Sequence, residues 1–404
     1  MKKTKKYLLL AIILVLLILF GIQRIVYKQQ YKINSYSLAI FVDGEKKDTY
    51  PERGNYNVSV DCMGKANGSW DYNNWGPIIK NFNDGSACNI IFTTGKKFNE
   101  YIMDAAKTDN SIVYIEQPDT VQTGSNAKEE YRYTGANPNN YVYFGCDINC
   151  TEDNLYRIIG VLPTQSIEGG TYEKRVKLVK NSFYVENESG LYKSCVLSGK
   201  TFYGYAWNTT GENAWEKSDL QIKVLNGIYL KSLENYDKYL SAAVWYLGAP
   251  DDAGAFKTRT YKASEFYVAE RSNSSGVSNG SLNYLGYIGL MYPSDYGYSV
   301  TKPFWDAAVT INLNMYLNYS YLASGIYYEW LISPEKSWKY QNENSSYSWN
   351  YESGIYNPNT SGVANAGTGY YMGVRPTFYL KENVLYQNGL GTKESPYRIT
   401  LGES

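Results

Sequence analysis

The residue types that carry out chemistry in proteins are unevenly represented in this chain. Its 404 residues include no histidine, 39 aspartates and glutamates, and five cysteines. Histidine is the commonest general base and the commonest neutral metal ligand. A Ser-His-Asp triad, a Cys-His pair and an H-E-x-x-H zinc site are therefore excluded by composition.

Pairs of carboxylates are the remaining route to catalysis. A glycosidase needs two acids on facing elements, about 5 to 9.5 Å apart. The candidates are Asp251, Asp252, Glu265, Glu270, Asp295 and Glu329. None stands in a motif that separates it from a surface acid, so we expect each to be solvated. An envelope enzyme acting on polysaccharide through two carboxylates is the alternative function that this set leaves open.

An aromatic stretch from Trp338 to Tyr356 interleaves Trp and Tyr with Ser and Asn. Rigid aromatic rings supply contact area at low entropic cost, and Ser and Asn supply adaptable hydrogen bonds, as in antibody paratopes. We predict a ligand-binding surface formed by Trp338, Tyr340, Tyr347, Trp349 and Tyr351. The alternative is that these side chains pack the long loops onto the body.

The N-terminus indicates where the protein works. Four lysines in the first six residues precede an uncharged run from Tyr7 to Ile22. This run with its flanks is just long enough to cross a bilayer core of about 30 Å, and no A-x-A cleavage site follows it. We predict a cytoplasmic tail at 1–6, a transmembrane signal-anchor at 7–27, a stalk at 28–35 and an extracytoplasmic body. A cleaved signal peptide is the alternative.

Charge and cysteine usage complete this picture. Lysine plus arginine equal aspartate plus glutamate at 39 each, so no nucleic-acid partner is expected.

The expected export of the body permits its cysteines to form disulfides. Cys62 and Cys88 flank one compact segment, and a bridge there would stabilise it by roughly 3 kcal/mol. A turn could also pair Cys146 with Cys150, a two-thiol metal site being the less favoured alternative. Cys195 is left over as a buried thiol.

Short apolar strands separated by Gly, Asn and Asp turns predict a small β-sandwich-like domain at 36–95. Its strands are expected at 37–42, 56–60 and 88–92, with a turn at Asp43-Gly44. Trp70 and Trp75 are predicted to form its core or rim. A helix at Phe98–Ala106 and a polar linker at Gln117–Lys128 then account for 96–128.

A larger domain with few helices and many loops is expected at 129–402, so the predicted fold class is α+β. Its strands are expected at 140–145, 155–161, 176–180, 284–291, 330–333 and 371–380. One short helix is expected at 218–226, because Leu220, Val224 and Leu225 share a helical face before Asn226-Gly227. No repeat with a period of 20 to 50 residues supports a solenoid or a propeller.

Two segments of this domain carry a family resemblance. The stretch from Tyr131 to Cys146, followed by 152–161, resembles the opening of uncharacterised exported proteins of Firmicutes and their relatives. The closing segments 373–381 and 391–399 look like their C-terminal signature. Together these segments bracket 129–399. That family has no assigned activity, so the resemblance implies none for this chain.

The same domain resembles the C-type-lectin-like fold shared with formylglycine-generating enzymes, in which a late Gly-x-Arg strand closes the core. The resemblance implies a loop-rich C-type-lectin-like domain behind a small β module. From its position before Pro376, Arg375 is predicted to tie strand to loop. Cys146 and Cys150 lie far from where the copper-binding pair of those enzymes would fall, and their iron-dependent relatives need histidine. The resemblance therefore implies that this chain has the fold without the catalytic chemistry of those enzymes. It also implies that the loops before the last strand form the ligand-binding face.

Sugar-binding C-type lectins hold calcium through Glu-Pro-Asn and Trp-Asn-Asp signatures, which Asn137-Pro138-Asn139 and Trp207-Asn208 match only in part. No cofactor is predicted, and a calcium site is the alternative, since Asp, Asn and backbone carbonyl oxygens are calcium ligands. We expect a single-pass, non-catalytic recognition or adhesion protein that binds a surface protein or a glycan. A structural or assembly protein without a soluble ligand is a third hypothesis.

Overall fold

The computed structural model describes residues 37–402, with gaps at 55, 73, 84, 119–127, 147–148, 187–188, 198–199, 210–213, 234–235, 249–260, 273–281, 308–317, 323–328, 334–351, 354–362 and 365–370. The predicted tail, signal-anchor and stalk lie outside the described residues. Among the described helices, none has the length and apolar character needed to span a membrane. The chain divides into two units after Gly95.

The first unit is a mixed sheet with one added hairpin. Its strands are β1 (Ser37–Val42), β2 (Glu45–Lys47), β3 (Tyr56–Met63), β4 (Asn67–Asp71), β5 (Gly76–Lys80) and β6 (Ala87–Thr94). The sheet has the order β2-β1-β6-β3, with β1 parallel to β6, and β4 pairs with β5. The turn between β1 and β2 is formed by Asp43 and Gly44, both at positive φ, as a two-residue Asp-Gly hairpin requires.

A small aromatic cluster and a disulfide hold the first unit together. Trp70, Ile90 and Phe92 form its buried core, and the Trp70 ring lies 4.9 Å from Phe92 between centroids. Trp75 packs against this core, so the predicted role of both tryptophans is confirmed. Cys62 and Cys88 face each other across β3 and β6 and form the predicted disulfide.

The second unit is built on a larger sheet. Its strands are β7 (Ile112–Glu116), β8 (Glu129–Tyr133), β9 (Tyr141–Tyr143), β10 (Leu155–Gln165), β11 (Tyr172–Lys180), β12 (Lys193–Leu197), β13 (Lys200–Ala206), β14 (Leu240–Ser241), β15 (Ala243–Tyr246), β16 (Asn283–Gly286), β17 (Ile288–Gly289), β18 (Glu352–Ser353), β19 (Val363–Ala364), β20 (Tyr371–Met372), β21 (Thr377–Leu380), β22 (Val384–Asn388) and β23 (Arg398–Leu401). The main path of the sheet runs β14-β21-β11-β10-β8-β7, with β9 on β10 and β17 on β21.

Helices are few. They are α1 (Phe98–Ala105), a π-helix (Leu220–Tyr229) continued by one α-turn (Leu230–Ser232), α2 (Ala263–Ser272), α3 (Pro293–Ser299), and 3-10 turns at Glu152–Asn154, Trp215–Lys217, Asp237–Tyr239 and Lys302–Phe304. Most of the described regular structure is strand, so the predicted α+β class is confirmed at that level.

Strand β10 is the centre of the sheet, and all of its residues are buried. It lies between β8 and β11, and its register shifts between Ile158 and Gly160. A Cβ on Gly160 would lie 2.2 Å from the Tyr131 carbonyl oxygen, so only glycine allows β8 to pair this closely.

The helix predicted at Phe98–Ala106 is confirmed by α1, which belongs to the second unit together with the unpredicted strand β7. Most of the predicted linker, 119–127, lies outside the described residues. Several other local predictions differ from the structure. The strands expected at 284–291 and 371–380 are each interrupted, the first into β16 and β17 and the second into β20 and β21. The helix expected to stop at Gly227 continues through Ser232. The strand expected at 330–333 is irregular: the Trp330 N–H donates to the Gly373 carbonyl and the Ile332 N–H to the Met291 carbonyl, so the described residues of this segment share no single partner strand.

Candidate functional site

Asp295 is the hub of a buried ion network in the second unit. Its Oδ1 accepts a hydrogen bond from Arg132 Nη1 at 2.8 Å, and its Oδ2 accepts one from Lys177 Nζ at 2.6 Å. The Lys177 and Asp295 side chains have no exposed surface. Strands β8 and β11 supply the two cations, and α3 supplies the acid, so the network ties the helix to the sheet.

Each charged group in this network favours the charged form of its partner. Burial disfavours the charged carboxylate, but Lys177 and Arg132 outweigh it and lower the pKa of Asp295 to about 2. Burial lowers the pKa of Lys177 to about 8, against the raising effect of Asp295. Both groups are therefore charged at neutral pH. Arg132 Nε also donates to Glu130 Oε2 at 2.6 Å.

Glu270 on α2 lies next to this network. Its Oε1 accepts from the Ser294 backbone N–H at 2.9 Å, and its Oε2 accepts from Ser294 Oγ at 2.6 Å and from Arg271 Nη1 at 3.2 Å. Burial raises the pKa of Glu270 to about 6, opposed by Arg271 and helped by Asp295. Glu270 and Asp295 are thus two neighbouring acids with widely separated pKa values.

A second buried pair joins the closing segment to the body. Arg375 donates from Nε to Glu329 Oε2 and from Nη2 to Glu329 Oε1, each at 2.6 Å. Its Nη2 also donates to the Leu322 carbonyl at 3.0 Å and to Tyr296 Oη at 2.7 Å. Burial raises the pKa of Glu329. Arg375 therefore ties strand to loop, as its position before Pro376 predicts.

The expectation that all six candidate acids are solvated is wrong for three of them. Glu270, Asp295 and Glu329 are at most 1 % exposed, because each is enclosed with a cation or hydrogen-bond donors contributed by other elements. Glu265 is exposed and accepts from the Lys262 backbone N–H, which caps α2. Asp251 and Asp252 lie outside the described residues.

A cleft of about 600 Å³ opens where the π-helix ends. Its lining residues are Asn226, Leu230, Lys231, Asp237 and Tyr287. The Asn226 amide donates to the Ile288 carbonyl at 2.8 Å and accepts from the Ile288 N–H at 3.0 Å. These two bonds hold the segment between β16 and β17, and with it Tyr287, against the π-helix.

The cleft presents groups that can contact a ligand. Tyr287 is 44 % exposed, and Lys231 and Asp237 are also exposed. An aromatic ring flanked by a cation and an anion offers a stacking surface together with charge-assisted hydrogen bonds. π-helical turns are rare and occur frequently at functional sites. This cleft was not predicted, because Tyr287 is distant in sequence from the other four lining residues and is held there by the bonds between Asn226 and Ile288.

The predicted aromatic site, formed by Trp338, Tyr340, Tyr347, Trp349 and Tyr351, lies outside the described residues. The structure does describe residues on either side of that segment. Glu329 forms a parallel bridge with Gly373, and the Trp330 N–H donates to the Gly373 carbonyl at 3.0 Å. Between these points, β18 and β19 pair as a hairpin.

The predicted disulfide between Cys146 and Cys150 is present, with a Cα separation of 5.4 Å. The side chain of Cys195 lies outside the described residues. No group of three or more cysteine and acidic side chains suited to a metal ion occurs in the part of the chain that the structure describes. Comparisons of the chain with protein-family models, with curated proteins and with solved structures give no match.

Proposed function

We propose that the chain is a single-pass, membrane-anchored protein whose extracytoplasmic body recognises a surface protein or a glycan without catalysis. The observation that carries this proposal is the contrast between its buried and its exposed groups. Glu270, Asp295 and Glu329 are enclosed and bonded to protein donors, whereas Tyr287 and its charged neighbours open to solvent. The chain thus offers contact groups where a ligand can reach them.

One observation favours the alternative of a polysaccharide-acting enzyme. Two neighbouring acids whose pKa values are pushed apart are the pattern of a general acid and its ionised partner. The pKa values of Glu270 and Asp295, about 6 and about 2, fit that pattern. A sugar would have to displace Ser294, Lys177 and Arg132 to reach either carboxylate, so recognition is the better-supported function.

Besides the cleft at Tyr287, we propose a second ligand surface, the aromatic stretch, carried on a C-type-lectin-like body. Its support is the buried Arg375–Glu329 pair, which lies beside the bridge between Glu329 and Gly373. These contacts hold the described residues on either side of the stretch, 329–333 and 371–375, next to each other. We propose that Trp338 and Trp349 serve binding instead of packing.

The test is binding by the full chain, purified in detergent, to arrays of glycans and of surface proteins. The change is Trp338, Tyr347 and Trp349 to alanine together, and the matched control is Tyr203→Ala, an exposed tyrosine on β13. We expect the triple variant to lose binding at an unchanged melting temperature. A fall in melting temperature would show that these side chains belong to the core.

Two further measurements address location and chemistry. Protease added to intact cells should digest the body but leave residues 1–6 protected. Recovery of the whole chain from the cell interior would contradict the proposed topology. Turnover of a cell-envelope polysaccharide that is lost in Glu270→Gln would favour the enzyme instead.

A further inference from the structure

The Cys146–Cys150 disulfide closes a loop that is already held by hydrogen bonds. Asn154 Nδ2 donates to the Gly145 carbonyl at 3.1 Å, and the Phe144 N–H donates to the Asn154 carbonyl at 2.9 Å. Asn154 Oδ1 also accepts from the Thr151 N–H at 3.1 Å. These bonds fix both sides of the loop, so the bridge adds little to its shape.

The two disulfides of the chain differ in how much stability they can add. Cys146 and Cys150 are four positions apart, whereas Cys62 and Cys88 are 26 apart. Closing a longer loop removes more entropy from the unfolded chain. The longer bridge also serves a unit with only three residues in its buried core cluster. Cys62–Cys88 thus has a structural role that Cys146–Cys150 lacks.

A cation lies beside one sulfur of the short bridge. Arg398 Nη1 is 2.9 Å from Cys150 Sγ, and the guanidinium also lies over the Tyr143 ring, 4.7 Å from its centroid. A fixed positive charge stabilises a thiolate on that sulfur and makes it the better leaving group. Cys146 and Cys150 are both partly exposed, so an incoming thiolate can reach the bridge.

We propose that the Cys146–Cys150 bridge is a thiol–disulfide exchange site. An external thiolate attacks Cys146 Sγ and forms a mixed disulfide with it. The bond to Cys150 breaks, and its electron pair stays on Cys150 as a thiolate beside Arg398. A second thiolate then releases Cys146 and leaves as the oxidised external disulfide, so the pair gains two electrons and the thiols lose two. This inference is independent of the recognition function.

The first test compares the two bridges within one molecule. The full chain, with Cys195 blocked beforehand, is exposed to increasing glutathione, quenched by alkylation and analysed by peptide mass spectrometry. Cys146 and Cys150 should become alkylated at a lower glutathione concentration than Cys62 and Cys88, and the glutathione adduct should lie on Cys146. Simultaneous opening of both bridges, or an adduct confined to Cys150, would overturn the proposal.

The second test removes the cation. Arg398→Gln should slow opening of the short bridge roughly tenfold, because the leaving thiolate loses its partner, while Arg398→Lys should retain most of the rate. Opening of Cys62–Cys88 serves as the internal reference in every variant. If Arg398 were only structural, both substitutions would lower the melting temperature alike and leave the ratio between the bridges unchanged.

The third test identifies the thiol that reacts in cells. In Cys150→Ser, Cys146 is a free thiol that attacks an external disulfide, forms a mixed disulfide with one half and releases the other half as a thiolate. No neighbouring cysteine can release this mixed disulfide, so it should accumulate. An adduct of glutathione size identifies a small thiol, whereas a shift on a non-reducing gel identifies a protein thiol. A Cys146 without any adduct in growing cells would count against the exchange site.

Discussion

The charge balance around Asp295 can be tested by one substitution. Asp295→Ala removes the carboxylate that accepts from both Lys177 and Arg132. Arg132 keeps Glu130 as a partner, at 2.6 Å. Lys177 keeps no anion: its described surroundings are the rings of Trp245, Tyr292 and Tyr379, and its side chain is fully buried.

The size of the effect follows from Lys177. Breaking a buried ion pair by removing one partner costs about 3 to 5 kcal/mol. An upper limit comes from the lysine losing its proton: keeping a group with an unfolded pKa of 10.5 neutral at pH 7 costs about 5 kcal/mol. We therefore expect Asp295→Ala to lower the free energy of unfolding by about 3 to 5 kcal/mol.

Urea unfolding at pH 7, followed by tryptophan fluorescence, measures this loss in the second unit. Lys177→Met is the matched control, because it leaves Asp295 paired with Arg132 and should cost less. The double variant should be more stable than Asp295→Ala alone, since no isolated charge remains. A loss below about 1 kcal/mol for Asp295→Ala, within the range of a surface substitution, would refute the reasoning.

Two further predictions concern Glu270 and Gly160. The pKa of Glu270 is about 6 in the folded state, above the ordinary value of 4.5. Between these two pH values the folded state binds more protons than the unfolded chain, so the free energy of unfolding falls as the pH rises from 4.5 through 6. Between pH 4.5 and 7, the free energy of unfolding of the wild type, measured by urea titration, should fall by about 2 kcal/mol more than that of Glu270→Gln. The same pH dependence in both proteins would contradict this prediction. Gly160→Ala should cost about 3 kcal/mol by the same assay, since its Cβ meets the Tyr131 carbonyl. Gly76→Ala, whose Cβ would lie 3.9 Å from its nearest neighbour, the Asn74 carbonyl oxygen, is the control, and equal losses in both variants would exclude the steric explanation.

Local patterns predicted the strands and turns well. Apolar runs bounded by turn residues placed β1, β3, β6, β10 and β11, and Asp43-Gly44 formed the predicted hairpin turn. Both disulfide pairs were also predicted, because cysteine spacing and turn chemistry are local properties. The helix at 218–226 was wrong at its end, since the Asn226 side chain bonds Ile288 and the chain continues past Gly227.

Burial of the acids could not be predicted in the same way. Whether Asp295 is solvated depends on Lys177 and Arg132, which lie 118 and 163 positions away. The same holds for Glu329, whose partner Arg375 is 46 positions away. The cleft also depends on residues that are distant in sequence. Tyr287 comes to lie near Asn226 only when β17, next to it in the chain, is part of the sheet. The aromatic binding surface stays a prediction.

The position of β21 sets the order in which the second unit can assemble. This strand, near the C-terminus, lies between β14 and β11 and also pairs with β17. During translation, β11 can pair with β10 but emerges long before its other neighbour, β21. Lys177 on β11 is then still hydrated. A nascent chain that stops before Thr377 lacks the strand that joins β14 and β17 to β11, so we expect premature termination to yield products that proteases degrade and not shorter functional proteins.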